Sequence, residues 1–181
     1  MELAILSDTH IPGQAEQLPD PFREHIEEAD HVLHAGDFGS KGALWDVREL
    51  ANGLTAVYGN ADPADIDLSA VASVTTDGVT VVVSHGMVNF VERAVSSSEG
   101  VVFDRDDWLD AISDTALARA DSDEQVVGVG GHSHETEDET HDGVRVLNPG
   151  SATGVGPADG RATMMTAEVT DDDVDVILHE A

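Results

Sequence analysis

The chain has 181 residues, 40% of them hydrophobic, and its 8 Lys and Arg against 37 Asp and Glu give a formal net charge of −29. This shortage of cations excludes a protein built to bind the phosphate backbone of nucleic acid, and it disfavours binding to an anionic membrane surface, because both need clustered Lys and Arg. The chain has no cysteine, which excludes disulfides, thiol catalysis and zinc–thiolate sites.

The length fits one domain, and we expect residues 1–181 to form it. The first residues carry no basic leader, and no stretch approaches the ~20 apolar residues of a membrane-spanning helix. A soluble, cytoplasmic protein is therefore expected. The oligomeric state stays open and includes a homodimer.

Acidic residues are spread along the whole chain, and the longest uninterrupted run is Asp171–Asp173. Disordered acidic tails have charge blocks with few apolar residues, so this distribution favours a folded acidic surface. At ~1 M salt the Debye length shrinks to ~3 Å and self-repulsion largely disappears. We therefore expect a salt-adapted protein. The alternative is an ordinary acidic protein with an Arg-biased coding sequence.

The first third of the chain has a βαβαβ rhythm. Short apolar runs at residues 3–7, 31–35 and 54–58 each end in polar or glycine residues and predict buried strands. Residues 22–29 and a segment capped by Ser40 have helical spacing. This alternation predicts a parallel sheet covered by helices.

The remaining two thirds favour strands around one helix. Residues 71–76 and 79–84 flank the turn Asp77-Gly78 and predict a hairpin, and residues 106–120 predict a helix. Four further strands are predicted at 125–129, 144–147, 163–169 and 174–178. Residues 86–104 favour an irregular or partly helical insertion, and the stretch 87–104 either shapes a substrate mouth or is an idle surface loop. The change of rhythm predicts two packed sheets with helices outside.

Five short motifs follow predicted strand ends, and in an open α/β sheet these ends lie along one rim. The motifs bring two Asp, one Asn and four His toward one pocket: Asp8, His10, Asp37, Asn60, His85, His132 and His134. Oxygen and imidazole ligands suit Mn, Fe, Zn, Co or Ni. Seven ligands are too many for one tetrahedral zinc and suit two ions sharing a carboxylate. Two divalent ions, two aspartates and one hydroxide leave a positive pocket, as an anionic substrate requires.

Each motif has a structural interpretation when taken alone. Gly36-Asp37 and Gly59-Asn60 are ordinary turn dipeptides, and a single His85 is more often a half-buried histidine than a ligand. The joint occurrence of all five motifs, each after a strand, is what favours a metal site.

In these motifs the sequence resembles the calcineurin-like metallophosphoesterase superfamily, and within it the small YfcE-like phosphodiesterase branch. The pattern D-x-H, G-D, G-N-x-D, [ST]-H-G, G-H-x-H is matched at every ligand position, and residues 148–151 match a loop signature of that branch. The resemblance implies an α/β fold, a four-layer α/β/β/α sandwich of two mixed sheets flanked by helices.

The resemblance also implies a ligand set for two divalent transition-metal ions. One ion would be held by Asp8, His10, Asp37 and His134, and the other by Asp37, Asn60, His85 and His132, with Asp37 bridging. Asp37, Asn60 and His85 would be the catalytic residues around a metal-bridging hydroxide. Manganese is the first expectation, with Ni, Co, Fe or Zn as alternatives.

Two departures from the superfamily pattern bear on the reaction. Ala61 stands where many members have a histidine that is taken to protonate the leaving group or hold the phosphate, and Met87 stands where relatives often show a second histidine. The branch also lacks the first of these histidines. The leaving-group proton is then expected from water or elsewhere, or good leaving groups are preferred.

The sequence therefore predicts a salt-adapted, dinuclear metal-dependent phosphodiesterase acting on a small phosphate ester. Two rivals remain open. One is a noncatalytic protein-binding scaffold on the same fold, as in the retromer subunit that resembles this family. The other is a phosphomonoesterase or dinucleotide-polyphosphate hydrolase.

The other polar residues that draw attention receive supporting roles. We expect His34 to be packed beside the site, Asp62 to cap a turn or support Asn60, and Asn148 and Ser151 to brace the His132–His134 segment. The remaining His residues are expected at the surface or in structural positions: His25, His31, His141 and His179. Glu135, Glu137, Asp138 and Glu139 are predicted to form a solvated acidic loop.

Overall fold

A computed structural model describes residues 1–86, 105–120, 125–170 and 173–181. It contains ten strands, β1 (Glu2–Leu6), β2 (His31–His34), β3 (Leu54–Ala56), β4 (Val71–Thr76), β5 (Val79–Ser84), β6 (Gln125–Val129), β7 (Thr136–His141), β8 (Val144–Pro149), β9 (Thr163–Thr170) and β10 (Asp173–Glu180). The helices are α1 (Asp20–Glu28), α2 (Lys41–Leu50) and α3 (Arg105–Leu117), with a 3₁₀ turn at Gly156–Ala158. The expectation for 87–104 lies outside the described residues.

Both sheets are mixed and have five strands. The first has the order β10-β9-β1-β2-β3. Strands β1, β2 and β3 run parallel, and β9 runs antiparallel to both of its neighbours, β1 and β10. The second has the order β4-β5-β6-β8-β7, with β5, β6 and β8 parallel between two antiparallel edges. The predicted hairpin around Asp77-Gly78 is confirmed as β4 and β5.

Three apolar cores separate four layers. Leu3, Ile5 and Leu33 of the first sheet pack against Val81 and Val127 of the second. A second core lies between the first sheet and helices α1 and α2, and a third lies between the second sheet and α3. The α/β/β/α sandwich expected from the resemblance is confirmed. No helix in the described part of the chain is long and apolar enough to cross a membrane.

Helix α2 begins where its capping residue predicts. Ser40 Oγ accepts a hydrogen bond from the Ala43 amide at 3.1 Å, which satisfies one of the free N–H groups at the helix start. Leu44 and Val47 lie on its buried face. The loop that carries Asp37 ends where α2 begins, so the Ser40 cap also fixes the end of that loop.

The predicted acidic loop is wrong for Glu137, Asp138 and Glu139, because residues Thr136–His141 form edge strand β7, whereas Glu135 lies before this strand and is exposed. The alternation of exposed and half-buried positions places Glu137 and Glu139 on one face, where Arg105 of α3 binds both carboxylates at 2.5–2.7 Å. Asp138 points to the other face and pairs with Arg145 at 2.8 Å. Ion pairing replaces the apolar residues by which a strand is usually recognised.

Some predicted boundaries also differ. Strand β3 stops at Ala56, because Val57 leaves the sheet and forms an isolated bridge with Ser69. Strand β8 extends to Pro149, pairing with β7, which the sequence interpretation missed. Helix α1 begins two residues earlier than predicted, at Asp20, with proline in its first turn.

Candidate metal centre

The structure brings all seven predicted site residues together between the carboxyl ends of five strands. Asp8 and His10 follow β1, Asp37 follows β2, and Asn60 lies beyond β3. His85 follows β5, and His132 and His134 follow β6. Within each sheet, loop hydrogen bonds join neighbouring strand ends, Asp8 N–H to Gly36 O at 3.0 Å and Gly131 N–H to His85 O at 3.4 Å. The His132 amide donates to Asp8 Oδ2 at 3.0 Å and joins the two sheets.

Five of these residues have a left-handed backbone, with φ between 49° and 73°: Asp8, His10, Asp37, His132 and His134. For non-glycine residues this conformation is uncommon, and strained backbone concentrates at functional sites. Each residue turns the chain sharply just after a strand, so that its side chain faces the common centre.

One half of the centre is built from Asp8, His10 and His134. Asp8 Oδ1 lies 3.2 Å from His134 Nε2 and 3.8 Å from His10 Nε2. The two ring nitrogens lie 3.4 Å from each other. Three ligand-type atoms therefore face one point.

The other half is built around His85 and Asn60. Asn60 Oδ1 lies 3.1 Å from His85 Nε2 and 2.9 Å from His132 Nδ1. Asp37 Oδ2 lies 3.4 Å from His85 Nε2 and 3.6 Å from His10 Nε2. One oxygen of Asp37 thus lies between the two halves.

Backbone carbonyls fix the orientation of two histidines. His85 Nδ1–H donates to Ala35 O at 2.7 Å, and His134 Nδ1–H donates to Val155 O at 2.8 Å. In the neutral tautomer that this assigns, each Nε2 carries a lone pair aimed at a carboxylate oxygen. Such a contact between acceptors is favourable only when a proton or a cation lies between them.

The pKa shifts of Asp8 and His85 also indicate that the centre favours bound positive charge. Burial raises the pKa of Asp8, but the His10 and His134 rings outweigh it and hold this pKa well below its usual value. Burial lowers the pKa of His85, but the charge and hydrogen bond of Asp37, together with the Asp8 charge and the Ala35 carbonyl, outweigh burial and raise it to about 10. Asp8 Oδ1 is buried and has no hydrogen-bond partner in the described part of the chain. The donor set and its charge fit divalent transition-metal ions.

Glycines allow the carboxylates to approach the backbone. A Cβ at Gly59 would lie 2.1 Å from Asp37 Oδ1, and one at Gly131 would lie 2.7 Å from Asp8 Oδ2. Both distances are far inside van der Waals contact, so no larger residue fits at either place. The turn dipeptide Gly59-Asn60 therefore has a second role, which the sequence alone did not show.

Asp62 holds the loops after β2 and β3 together. Its carboxylate accepts hydrogen bonds from the backbone N–H groups of Asp37 at 3.0 Å, Gly39 at 3.0 Å and Gly59 at 2.8 Å. Asp37 Oδ1 in turn accepts from the Ala61 amide at 2.7 Å. Of the two roles expected for Asp62, the structure shows the capping of a turn. Asp62 also fixes the position of Asp37 through the backbone of this loop.

The segment with His132 and His134 is braced from two sides. Asn148 Nδ2 donates to Gly131 O at 3.2 Å and to Ser133 Oγ at 2.9 Å. Ser151 acts on the segment through Val155, whose amide donates to Ser151 Oγ at 3.2 Å and whose carbonyl holds His134. Ser151 Oγ itself donates to Asp8 O at 2.8 Å. Trp108 Nε1 of α3 also donates to Gly131 O at 3.0 Å. Sequence reasoning missed Trp108, whose only signal was a large aromatic residue at the start of a predicted amphipathic helix.

His34 is packed beside the site. Its ring stacks on Phe38 with a centroid separation of 3.6 Å, and its Nδ1 accepts from the Gly36 amide at 3.1 Å. Complete burial lowers the pKa of His34 to about 3, so the ring is neutral and supports the loop that carries Asp37.

The remaining histidines lie away from the centre. His31 contacts Thr55, and His179 contacts Thr166 and the ring of His25. His141 pairs with Asp110 at 2.6 Å.

The comparisons with known proteins agree with this architecture. The calcineurin-like phosphoesterase superfamily domain matches residues 1–172. A probable metallophosphoesterase of Methanocaldococcus jannaschii is 26% identical over 153 residues, which is 84% of this chain and 69% of that protein. A second one, from Methanothermobacter thermautotrophicus, is 36% identical over 62 residues, or 34% of this chain; these residues span about a third (36%) of that relative's length.

Two solved structures show how widely the fold is shared. A Vps29 variant from Entamoeba histolytica superposes with a TM-score of 0.71 at 21% identity, covering 100% of this chain and 99% of that one. A protein described as a novel archaeal phosphodiesterase superposes with a TM-score of 0.62 at 24% identity, covering 99% and 100%. The match over residues 1–172 decides the family: the chain belongs to the calcineurin-like phosphoesterase superfamily.

Proposed function

We propose that this protein is a dinuclear metal-dependent phosphodiesterase. Asp8, His10, Asp37 and His134 would hold one divalent ion, and Asp37, Asn60, His85 and His132 the other. The observation that carries this proposal is the position of Asp37 Oδ2, 3.6 Å from His10 Nε2 and 3.4 Å from His85 Nε2. A carboxylate shared between two clusters of ligand atoms supports two ions better than one.

When bound, such a pair of ions supplies a water acidic enough to attack at neutral pH and positive charge for the phosphate oxygens. The protein's own residues fix the geometry. Ala35 O and Val155 O hold the rings of His85 and His134, so neither ring needs to reorganise. Asn60 is exposed while Asp8 and Asp37 are buried, which leaves the Asn60 side open for a phosphate ester.

The alanine at position 61 supports a preference for diesters that have a good leaving group. This position follows Asn60 directly, and its methyl group has no proton to give to the departing alcohol. The neighbouring His132 ring is assigned to the second ion, and burial lowers its pKa, so the ring is neutral at neutral pH and does not serve as the acid. Water is then the proton source, and esters of acidic alcohols react faster than esters of simple ones.

The metal and the salt range belong to the same proposal. Manganese is the first candidate, with Ni, Co, Fe or Zn as alternatives, because the ligands are imidazole, carboxylate and amide oxygen. The net charge of −29 supports a protein adapted to high salt, where screening removes self-repulsion. Small phosphate esters would then reach the pocket without strong repulsion from the acidic surface.

A protein-binding scaffold is the rival function. One Vps29 structure is described as a complex with Zn²⁺ and another as a complex with a cyclic peptide. A metal-ligand set and a peptide-binding surface therefore both occur on this fold. The complete set of seven ligand-type residues supports hydrolysis here, and turnover is what separates the two functions.

The test uses protein purified without chelator in molar KCl. We expect about two divalent ions per chain and faster hydrolysis of bis-p-nitrophenyl phosphate than of mono-p-nitrophenyl phosphate. Asp37→Asn should lower diester turnover by at least about 1,000-fold, as losing a central catalytic group does, while Asp110→Asn, in the exposed His141 pair, should not. Faster monoester hydrolysis would overturn the diester assignment, and no turnover with any of the five metals would favour the scaffold.

A further inference from the structure

A polar cleft lies directly beside the candidate metal centre. It has a volume of about 340 Å³, and its walls include His134, Glu135, Glu137, Ala158 and Arg161. His134 belongs to both places, because its Nε2 faces Asp8 Oδ1 at 3.2 Å and the same residue lines the cleft. A phosphate group at the centre would therefore have one of its ester substituents next to this cleft.

The volume limits what the cleft can hold. Small-molecule sites in proteins usually measure about 300–1,000 Å³, so this cleft takes one small group of glycerol or monosaccharide size. The lining described for it contains no Phe, Tyr or Trp, and its apolar part is limited to small groups such as Pro157 and Ala158. Among the described lining residues, the imidazole of His134 is the one ring on which a nucleobase could stack, and its Nε2 is already turned to Asp8 at the metal centre.

The charges of the walls favour a neutral hydroxyl-rich group. Arg161 is paired with Glu180, whereas Arg105 binds both Glu137 and Glu139, so this group keeps one negative charge. Glu135 is exposed and has no ion pair within the described residues. A second phosphate would be repelled by Glu135, whereas hydroxyl groups can donate to its carboxylate and accept from the Arg161 guanidinium.

We propose that this cleft binds the non-leaving alcohol of the phosphodiester substrate, and that this alcohol is a small polyol such as a glycerol or sugar unit. The inference rests on the proposed phosphodiesterase function and assigns the substrate class of the same site. Glu135 and Arg161 are the specificity residues, and Ala158 sets the depth of the cleft.

The test compares two diesters that share p-nitrophenol as leaving group, one with glycerol and one with methanol as the second alcohol. With metal-loaded protein in molar KCl, kcat/KM should be about tenfold higher for the glycerol ester. Ala158→Trp fills the cleft and should reduce this ratio to about one, and Glu135→Ala should reduce it about threefold. Ala118→Trp, an exposed alanine after α3, is the matched control and should leave the ratio unchanged.

A binding measurement completes the test. Glycerol methylphosphonate, which lacks the leaving group, should shift the amide NMR signals of Glu135, Ala158 and Arg161 in the wild type and not in Ala158→Trp. Equal kcat/KM values for the two esters, or the same ratio in Ala158→Trp as in the wild type, would overturn the cleft assignment alone. Hydrolysis of neither ester would overturn the proposed function and this assignment with it.

Discussion

The Oδ1 atom of Asp8 lies 3.2 Å from Nε2 of His134, and this buried oxygen has no hydrogen-bond partner in the described part of the chain. His134 Nδ1–H donates to a backbone carbonyl, so in the neutral ring the facing Nε2 carries no proton. Burial lowers the pKa of His134, but Asp8 outweighs burial and raises it. The pair thus binds either a proton or a cation.

Asp8→Asn should separate metal binding from folding. Asparagine has the same shape as aspartate. Its amide oxygen can take the place of Oδ2, which accepts a hydrogen bond from the His132 amide at 3.0 Å in the wild type. The negative charge beside His134 is lost. Isothermal titration should show Mn²⁺ affinity lowered by at least about 100-fold, with a folded circular dichroism spectrum.

Asp110→Asn is the control for this variant, because Asp110 also pairs with a histidine but at the exposed surface. Its Mn²⁺ affinity should equal that of the wild type. If Asp8→Asn bound Mn²⁺ as tightly as the wild type, Asp8 would not be a ligand.

Asp62→Asn should weaken the fold and the site together. Its two oxygens accept from three backbone amides, so the NH₂ group of asparagine must face either Gly39 N–H or the N–H groups of Asp37 and Gly59. A donor facing a donor leaves a buried group unsatisfied, and urea denaturation should show about 2 kcal/mol less free energy of unfolding. Mn²⁺ affinity should fall about tenfold, because the Asp37 loop is less fixed.

Asp65→Asn is the control, and it tests whether removing any acidic charge near this loop lowers the free energy of unfolding. Asp65 is exposed and pairs with Lys41 at 2.8 Å, and such surface pairs contribute about 0–1 kcal/mol. An equal loss of stability in both variants would show that Asp62 acts only through its charge.

The metal-free protein should lose stability as the pH rises. His85 has its pKa raised from 6.5 to about 10; burial opposes this shift and Asp37 is its main cause. A raised pKa contributes stability that is complete below the unfolded pKa and is lost as the pH rises through the folded pKa. With EDTA, the free energy of unfolding should fall between pH 6.5 and about 10, by at most about 5 kcal/mol.

Saturating Mn²⁺ should flatten this dependence, because a ligated His85 Nε2 has no proton to lose. Mn²⁺ binding at pH 8 should also release protons, which weakly buffered titration measures. The variant His141→Gln should keep most of the wild-type slope, because the Asp110 pair that raises the pKa of His141 is exposed and contributes little to stability. Stability that rises toward pH 10 in EDTA would contradict the assigned charge of His85.

Salt should stabilise the protein over a wide range. At −29, the folded chain repels itself, and screening lengths fall from about 10 Å at 0.1 M to about 3 Å at 1 M salt. The Tm should rise continuously from about 0.1 M to about 3 M KCl, and diester turnover should rise until screening saturates. Sucrose at equal osmolality is the control, since it does not screen charge. A flat or falling Tm, or turnover that declines steadily from 0.1 M, would contradict salt adaptation.

The candidate site could be predicted because its ligand-type residues follow strand ends. Apolar runs before Asp8, Asp37 and His85 mark buried parallel strands, and the carboxyl ends of such strands meet at one rim. Local sequence is enough for this step, since burial of both faces of a parallel sheet demands continuous apolar runs. The positions of the motifs after these strands therefore predict that the seven residues converge.

Strand β7 and the support from Trp108 could not be found in this way. The β7 segment has the sequence TEDETH, and it is a strand because Arg105 and Arg145 neutralise its carboxylates from two different elements. Trp108 reaches Gly131 O only because α3 packs on the second sheet. The Arg105 and Trp108 contacts join residues 32 and 23 positions apart, whereas Arg145 lies seven residues from Asp138 on the neighbouring strand β8.

The amino-acid sequence by itself determined the strand rhythm, the acidic character and the seven residues that meet at the rim, because each follows from local periodicity and composition. Only the tertiary structure decided which oxygen of Asp37 faces both His10 and His85, why Gly59 and Gly131 must be glycines, and where the cleft beside His134 lies. These features are distances between segments far apart in the chain, and they exist only once packing of the two sheets fixes the loops against each other.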